Sequence, residues 1–507
     1  MQSSRSRRDF IKLLGAGGAL LALPKGIESF AKGEKKPNVI FILADDLGYS
    51  DLSCYGQKKF KTPNIDKLAS EGIKFSQAYS GSPVCAPSRC SLLTGLHTGH
   101  SYIRDNDEWS ERGDVWKDLI KFEGQRPIPE GTFTLGHLFK DAGYRTACIG
   151  KWGLGAPGSE GVPNKQGFDF FYGYNCQRIA HTHYPPYLWR NDKKEYLPGN
   201  ENFVTHEKLP ADKDPNAPKS YERYKGKQYA FDLMLEESLK FISDNKNNPF
   251  FLYFTPTIPH VALQAPDDAI KEFEGAYEET PYLGKVQYLP QQKPRAAYAA
   301  MITRLDRGVG KIISLLKELN LDEDTLVIFT SDNGATFNIG GYDPEFFKSN
   351  GDFNGAKATV YEGGIRIPLI ARWPGKIEAG RTTEHVCAFW DFMPTFADLS
   401  GGKIKGDTDG ISIVPSLTGN TGRQKEHEYL YWEHARKMQA VRFNDYKALR
   451  KKPEGEIELY YLKGDPQEKN NIAPNFPEIV ESAEKLMDRA RFESELFPIF
   501  KPKAAKK

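Results

Sequence analysis

The chain has 507 residues, of which 39% are hydrophobic and 27% are charged, and its formal net charge is +2. This composition is typical of a folded globular protein and excludes the intrinsically disordered class. A net charge so close to zero argues against a basic surface for nucleic acid, so we expect no nucleic-acid partner. The length allows one large α/β core with a smaller second domain.

The first 31 residues differ from the rest of the chain. The paired Arg7 and Arg8 precede a short apolar run, residues 13–23, that is rich in glycine and alanine. This pattern resembles a twin-arginine export signal. An apolar run this short does not span a bilayer as a helix, so we expect no stable membrane anchor. We therefore expect residues 1–31 to be read by bacterial twin-arginine export machinery, which would make the protein periplasmic or secreted.

Four apolar runs predict strands that are buried on both faces of a sheet, and each leads to polar residues. The runs and the residues that follow them are 38–44 with Asp45 and Asp46, 143–149 with Lys151, 248–254 with His260, and 325–331 with Asp332 and Asn333. Amphipathic stretches at 62–71, 133–142 and 297–320 predict helices between them. Alternating strands and helices predict an α/β fold, a large and mostly parallel sheet flanked by helices. Ligands bind such sheets beyond the carboxyl ends of the strands.

The pattern changes beyond residue 400. Shorter alternating segments at 429–433, 438–443, 447–451 and 456–462 predict a small antiparallel sheet, closed by a helix at 477–492. The polar, proline-rich stretch 187–219 predicts a long surface insertion. We therefore expect a catalytic domain over residues 37–400 and a small C-terminal α+β domain over residues 401–507.

The strongest chemical signal is the sequence Cys-Ala-Pro-Ser-Arg at residues 85–89. Pro87 fits the first turn of a helix, because its fixed φ suits that turn and its missing N–H is not needed there. Cys85 would then lie at a helix N-terminus, where exposed N–H groups and the helix dipole favour anions. Arg89, one turn later, adds a positive charge. A single cysteine is more often only a buried residue, but the whole string indicates an anion-binding nucleophile.

Acidic and amide side chains end two of the predicted strands: Asp45, Asp46, Asp332 and Asn333. Each aspartate alone is more often a cap or turn residue. Carboxylates gathered at one sheet edge repel by about 4 kcal/mol per pair at 4 Å and an effective dielectric of 20. A hard divalent cation removes that repulsion, and ligation by oxygen alone favours Ca²⁺, with Mg²⁺ as the alternative.

The string at 85–89, followed by Leu-Leu-Thr-Gly at 92–95, resembles the signature of the type I, arylsulfatase-like sulfatases of the alkaline-phosphatase-like superfamily. The resemblance implies that a formylglycine-generating enzyme oxidises Cys85 to formylglycine, whose hydrate supplies the nucleophilic oxygen. It also implies a metal held by Asp45, Asp46, Asp332 and Asn333 together with the formylglycine oxygen at residue 85.

The same resemblance assigns roles to three further side chains. Lys151, in a Gly-Lys-Trp motif, and Lys357, five residues before Glu362-Gly363-Gly364, would bind sulfate oxygens, and His260 would face the leaving group. A single lysine is usually a solvated side chain. Together with Arg89, however, the two lysines would stabilise the negative charge that builds on sulfate oxygens in the transition state.

The chain departs from the family pattern at Gly153, where many relatives carry a histidine that is credited with helping sulfate to leave. Residues 180–189 offer two imidazoles in an aromatic loop. We expect His181 to bind substrate and replace the missing histidine, with His183 on the same side as its substitute. Surface packing is an equally good interpretation of this loop.

We therefore expect a sulfuric-ester hydrolase that acts on a sulfated carbohydrate or a small aryl sulfate, in the role of a periplasmic polysaccharide sulfatase. Phosphodiesterases and phosphonate hydrolases of the same superfamily are the nearest alternative. A catalytically silent protein that binds sulfated glycans without a matured Cys85 is another.

Overall fold

The computed structural model of the protein describes residues 36–114 and 117–499. The predicted export signal at residues 1–31 lies outside the described residues. All described residues belong to one unit, and the domain boundary near residue 400 stays a prediction. None of the described helices is both long and apolar enough to cross a bilayer.

The strands in chain order are β1 (Asn38–Ala44), β2 (Ile73–Tyr79), β3 (Arg145–Lys151), β4 (Phe170–Tyr174), β5 (Tyr187–Arg190), β6 (Lys193–Tyr196), β7 (Phe250–Thr255), β8 (Thr325–Ser331), β9 (Arg366–Arg372), β10 (Arg381–Thr383), β11 (Cys387–Ala388), β12 (Leu430–His434), β13 (Met438–Phe443), β14 (Tyr446–Arg450) and β15 (Glu458–Tyr461). The helices are α1 (Pro63–Ser70), α2 (Cys85–Thr94), α3 (Leu135–Asp141), α4 (Ala230–Asp244), α5 (Asp267–Lys271), α6 (Pro294–Glu318), α7 (Pro344–Phe347), α8 (Glu362–Ile365), α9 (Phe392–Ser400), α10 (Val414–Leu417) and α11 (Pro477–Arg489).

A large mixed sheet organises the protein. Its described strands follow the order β10-β2-β9-β8-β1-β7-β3-β4-β5-β6, and β11 pairs with β2. The four predicted buried strands, β8, β1, β7 and β3, are consecutive and parallel. Antiparallel pairing begins at β9 on one side and at β5 on the other. The predicted α/β fold with a mostly parallel sheet is confirmed.

Helices cover both faces of the central strands, which explains why these strands are apolar along their whole length. On one face, Ile40 and Ile42 of β1 belong to a core that includes buried side chains of α4 and α6. On the other face, Phe41 packs edge-on against Phe392 of α9, with ring centroids 4.9 Å apart. Phe251 of β7 stacks on the ring of Phe139 in α3 at 4.1 Å.

The prediction of a long surface insertion at 187–219 is wrong in its first part. Residues 187–196 form the antiparallel hairpin of β5 and β6 at the edge of the large sheet. Asn191, between the two strands, has φ 54°. Asn191-Asp192 forms the two-residue connection, and asparagine tolerates the positive φ that this connection requires.

The predicted C-terminal sheet is present and antiparallel, in the order β12-β13-β14-β15. Tyr431 and Val441 on one face pack with Ala483 and Met487 of α11. Trp432 on the other face packs with residues of the large sheet region. The small sheet is therefore joined to the rest of the protein by an apolar core.

Candidate active site

The carboxyl ends of the four central strands converge on the first residue of α2. The register pairs Ala44 of β1 with Ser331 of β8, so that the acidic residues which follow both strands become neighbours. Cys85 begins α2, as predicted. Its Sγ lies 3.5 Å from Asp45 Oδ1 and 4.0 Å from Asp46 Oδ1. The structure thus brings the predicted nucleophile to the predicted acidic edge.

Two lysines neutralise these carboxylates. Lys151 Nζ lies 2.7 Å from Asp45 Oδ2. Lys357 Nζ lies 2.6 Å from Asp46 Oδ1 and 3.4 Å from Cys85 Sγ. Both ammonium groups are therefore within reach of an anion bound at residue 85.

Arg89 is fully buried, and its guanidinium bonds Asp332. Its Nε and Nη2 donate to Asp332 Oδ2 at 3.0 and 2.9 Å. Nη2 also lies 3.8 Å from Asp45 Oδ1. Arg89 therefore fixes the orientation of Asp332 and adds a positive charge beneath the carboxylates.

The acidic edge has the chemistry of a cation site. Asn333 Nδ2 donates to Asp46 Oδ1 at 2.7 Å, while Asn333 Oδ1 is buried with no hydrogen-bond partner among the described residues. Ligand atoms of Asp45, Asp46, Cys85 and His260 lie within 4.8 Å of one another. An unpaired amide oxygen beside two carboxylates fits a hard divalent cation.

The charges of this cluster are strongly coupled. Burial opposes ionisation of Asp45, but Lys151 and then His260 and Arg89 outweigh it and hold the pKa of that carboxyl below its usual range. Burial, with Asp45 nearby, raises the pKa of Asp332 to about 6. Burial also raises the pKa of the Cys85 thiol to about 12, so this thiol is protonated at neutral pH.

His260 faces the cluster from the segment after β7. Its Nε2 lies 3.6 Å from Asp46 Oδ2, and its Nδ1 contacts the carbonyl of Val261. Burial lowers the pKa of the imidazole to about 3. With Nδ1 donating to a carbonyl, Nε2 is the nitrogen that remains for the substrate.

His183 supports His260. It is fully buried, its Nε2 lies 3.0 Å from the carbonyl oxygen of His260, and its Nδ1 lies 3.1 Å from Thr257 Oγ1. The sequence predicts His181 and His183 on the same side of an extended loop. Residues Ile179–His181 form a 3₁₀ turn instead, and both histidines contact His260, His181 through its ring and His183 through the backbone carbonyl.

His181 lines the active-site cavity. Its ring stacks on that of His260 at 5.3 Å and 17°, and its Nδ1 lies 2.9 Å from His206 Nε2. Burial and the neighbouring His260 and His206 lower the pKa of His181 well below its usual value. The side chain is therefore a neutral group next to the predicted acid.

The cavity has a volume of about 160 Å³, below the range of about 300–1,000 Å³ for sites that bury a drug-sized ligand. Cys85, His260 and Lys357 lie in its wall. The remaining polar and aromatic residues of its lining were not predicted from the sequence: Asn106, Glu108, Gln125, Gln177, Arg178, Gln287, Tyr288, Thr336 and Phe337. Residues 176–178 follow the carboxyl end of β4, and this position in the sequence could have placed them near the site.

Comparisons with known proteins agree with this geometry. A family model described as Sulfatase matches residues 37–402, and one described as N-sulphoglucosamine sulphohydrolase, C-terminal, matches residues 352–493. The chain is 31% identical to a dog N-acetylgalactosamine-6-sulfatase over 442 residues, which cover 85% of this chain and 74% of that protein. It is 27% identical to an N-acetylgalactosamine-6-O-sulfatase of Bacteroides thetaiotaomicron, covering 91% and 94% of the two chains.

Among solved structures, the protein resembles Ps i-CgsB, crystallised in complex with k-i-k-neocarrahexaose. The TM-score is 0.70 at 28% sequence identity, covering 90% of this chain and 92% of that chain.

Proposed function

Since the chain belongs to the type I sulfatase family of the alkaline-phosphatase-like superfamily and is a sulfuric-ester hydrolase, we propose that it removes sulfate from a sulfated carbohydrate by means of a formylglycine made from Cys85. One observation carries the proposal. The Cys85 side chain lies at a helix start, in a cavity, between two carboxylates and Lys357. A thiol whose pKa is raised to about 12 is itself a poor nucleophile at neutral pH. The formylglycine hydrate would supply the attacking oxygen and a second oxygen that allows sulfate to be expelled.

The proposed metal ligands are Asp45, Asp46, Asp332, Asn333 and the modified residue 85. The unpaired Asn333 Oδ1 and the neighbouring carboxylates support this set. All protein ligands are oxygens, which favours Ca²⁺, with Mg²⁺ as the alternative. When bound, the cation would polarise a sulfate oxygen and offset the charge of the carboxylates.

The positively charged side chains around residue 85 have separate roles toward the substrate. Lys151 and Lys357 now bond Asp45 and Asp46. A cation held by Asp45 and Asp46 would offset the charge of these carboxylates, so that both ammonium groups could also bond sulfate oxygens. There they stabilise the charge that develops during sulfuryl transfer. Arg89 keeps Asp332 in place through two hydrogen bonds.

His260 is the proposed acid for the leaving alcohol. Its Nδ1 is engaged by the carbonyl of Val261, so the proton is given from Nε2. Burial lowers its pKa to about 3, and an anionic sulfate ester beside the ring raises it again. His181, stacked on His260, is the proposed partner for the second half of the reaction.

The substrate class rests on the relatives and on the cavity. The named relatives act on sulfated sugars according to their names, and the cavity here is small and lined by amides and charged groups. We place the protein in the bacterial periplasm or outside the cell, exported through the signal at residues 1–31. A formylglycine-generating enzyme would be its maturation partner.

The test combines mass measurement with turnover. The peptide that contains residue 85 should carry an aldehyde in place of the thiol, and the enzyme should hydrolyse an aryl sulfate faster than the matching aryl phosphate. Cys85→Ala should abolish turnover while the protein stays folded. Cys90→Ala, a second buried cysteine of the same helix, is the matched control and should stay active. More than a few per cent of activity in Cys85→Ala would contradict the mechanism.

A further inference from the structure

Gln177 places an unused hydrogen-bond donor in the active-site cavity. The residue lines the same cavity as Cys85 and is 6% exposed. Its Nε2 is buried and has no hydrogen-bond partner within the described part of the chain. Buried polar atoms are nearly always bonded, so an unpaired amide inside a cavity points to a partner that binds there.

A hydrogen bond holds the backbone of Gln177 in place. Its backbone N–H donates to Gln125 Oε1 at 2.8 Å, and Gln125 Nε2 donates to Glu108 Oε2 at 3.1 Å. These hydrogen bonds fix the backbone of residue 177, while the side-chain Nε2 has no partner among the described residues.

Gly153 makes room for this amide. Gly153 has φ +83°, and a Cβ built on it would lie 2.7 Å from Gln177 Nε2 and 2.9 Å from Gln177 Cγ. A side chain at residue 153 and the Gln177 amide would thus compete for one space. The two segments are also bonded to each other, since Gly153 N–H donates to the carbonyl of Asn175 at 3.3 Å.

The amide lies toward the reacting end of the cavity. Gly153 comes two residues after Lys151, whose ammonium bonds Asp45 beside Cys85. Trp152 N–H donates to the carbonyl of Tyr174 at 2.9 Å, so the Gln177 segment runs along the end of β3. Gln177 is 6% exposed and its amide lies beside Gly153, so it belongs to the inner wall of the cavity, next to the segment that carries Lys151.

The geometry points to Gln177 as a substrate-contacting residue whose Nε2 donates a hydrogen bond to an oxygen of the bound sulfate ester. This role rests on the sulfatase function proposed above. An amide does not titrate, so the donor is present at every pH at which the protein is folded.

Two substitutions test the contact. Gln177→Met keeps the length of the side chain but removes the donor, and it should lower kcat/KM about 10- to 100-fold, the usual effect of losing a hydrogen bond to a charged group. Gln177→Glu keeps the shape but adds a negative charge, and it should lower kcat/KM further. The loss should be equal on 4-nitrophenyl sulfate and on a sulfated sugar, because both carry the sulfate group.

Gly153→Ala supplies an independent variant. Its Cβ would displace the Gln177 amide, so it should reproduce the loss seen in Gln177→Met. In a Gln177→Ala background the same change should add little, because the displaced amide is already gone. Fully additive losses would overturn the proposed link between the two residues.

The contact is also measured without turnover. Inorganic sulfate binding to the full-length metal-loaded protein, followed by calorimetry, should weaken about 10-fold or more in Gln177→Met. The melting temperature should not fall, since an apolar side chain replaces an unpaired buried amide. Unchanged sulfate binding, or a loss of activity confined to the sugar substrate, would overturn the inference. A wild-type protein that binds sulfate but hydrolyses no sulfate ester would contradict the proposed function and leave the contact measurable.

Discussion

Two of the buried charge clusters among the described residues differ in their surroundings. The active-site cluster consists of Asp45, Asp46, Cys85, Lys151 and Lys357. The C-terminal charge cluster consists of Glu362, Lys447 and Glu468. In the latter, Lys447 Nζ lies 2.9 Å from Glu362 Oε1 and 2.8 Å from Glu468 Oε1, and its side chain is fully buried. Both clusters set lysines against carboxylates at similar distances.

The surroundings separate the two clusters. Glu468 Oε2 accepts the backbone N–H of Glu362 at 2.7 Å, so the C-terminal cluster ties the start of α8 to β14 and to the segment after β15. The active-site cluster instead borders a cavity, with Cys85 and Lys357 in its wall. Buried ion pairs alone therefore do not indicate catalysis. A cavity beside them does.

Metal removal should give the largest effect and should act on one cluster only. A strong chelator of Ca²⁺ and Mg²⁺ should reduce sulfate-ester hydrolysis to background, because the carboxylates would lose their cation and the lysines would return to them. Added Ca²⁺ or Mg²⁺ should restore turnover. Full activity in a protein shown by elemental analysis to be metal-free, or tightly bound Zn²⁺, would contradict the assignment.

Lys447→Met should damage stability rather than chemistry. It removes the cation shared by Glu362 and Glu468 and leaves Glu362 with Arg366, 3.1 Å away, and we expect a loss of about 3 kcal/mol in the free energy of unfolding at pH 7. Lys451→Met, which removes an exposed partner of Glu458, should change it by less than about 0.5 kcal/mol. Urea unfolding measures both. A Lys447→Met protein of normal stability would mean that the C-terminal cluster does not hold α8 and β14 together.

The two cavity histidines should differ in the step that they affect. His260→Ala should slow the first transfer, whereas His181→Ala should leave a rapid burst of alcohol release and then lower kcat, each by about 100-fold. Rapid-mixing kinetics on an aryl sulfate separates the two. His183→Ala is the control for a buried imidazole and should lower stability without producing a burst. Wild-type kinetics in His181→Ala would remove that residue from the mechanism.

The smallest effect concerns pH and a histidine outside both clusters. Burial lowers the pKa of His97 to about 3, below the value of about 6.5 for an unfolded chain. Below pH 6.5 the unfolded state therefore binds more protons at this residue, and its contribution to stability is lost as pH falls toward 3. The stability difference between wild type and His97→Gln should shrink by about 1.4 kcal/mol per pH unit below 6.5. Urea unfolding at pH 7, 6 and 5 tests this, and a constant difference would contradict it.

The sequence predicted most of what lies along the strands. The bounds of β1 and β8 agree with the structure, α2 begins at Cys85, and Lys151 and His260 reach the predicted edge. These positions follow from the local hydrophobic pattern, because an apolar run locates the carboxyl end of its strand and therefore the residues that come next. The polar residues of the cavity wall were not predicted, because residues such as Gln177 and Tyr288 lie on loops whose placement depends on contacts distant in sequence.

The burial of Cys85 also sets an order of events for the proposed maturation. In the folded protein the residue is 1% exposed, in a cavity too small for a second protein to enter. A modifying enzyme must reach the Cys85 thiol, and here residues 85–89 are buried in the first turns of α2. Oxidation of the thiol would therefore compete with folding, and a chain that folds first would remain permanently inactive. Slower folding of the large sheet and α2 would therefore raise the yield of active protein without changing the native structure.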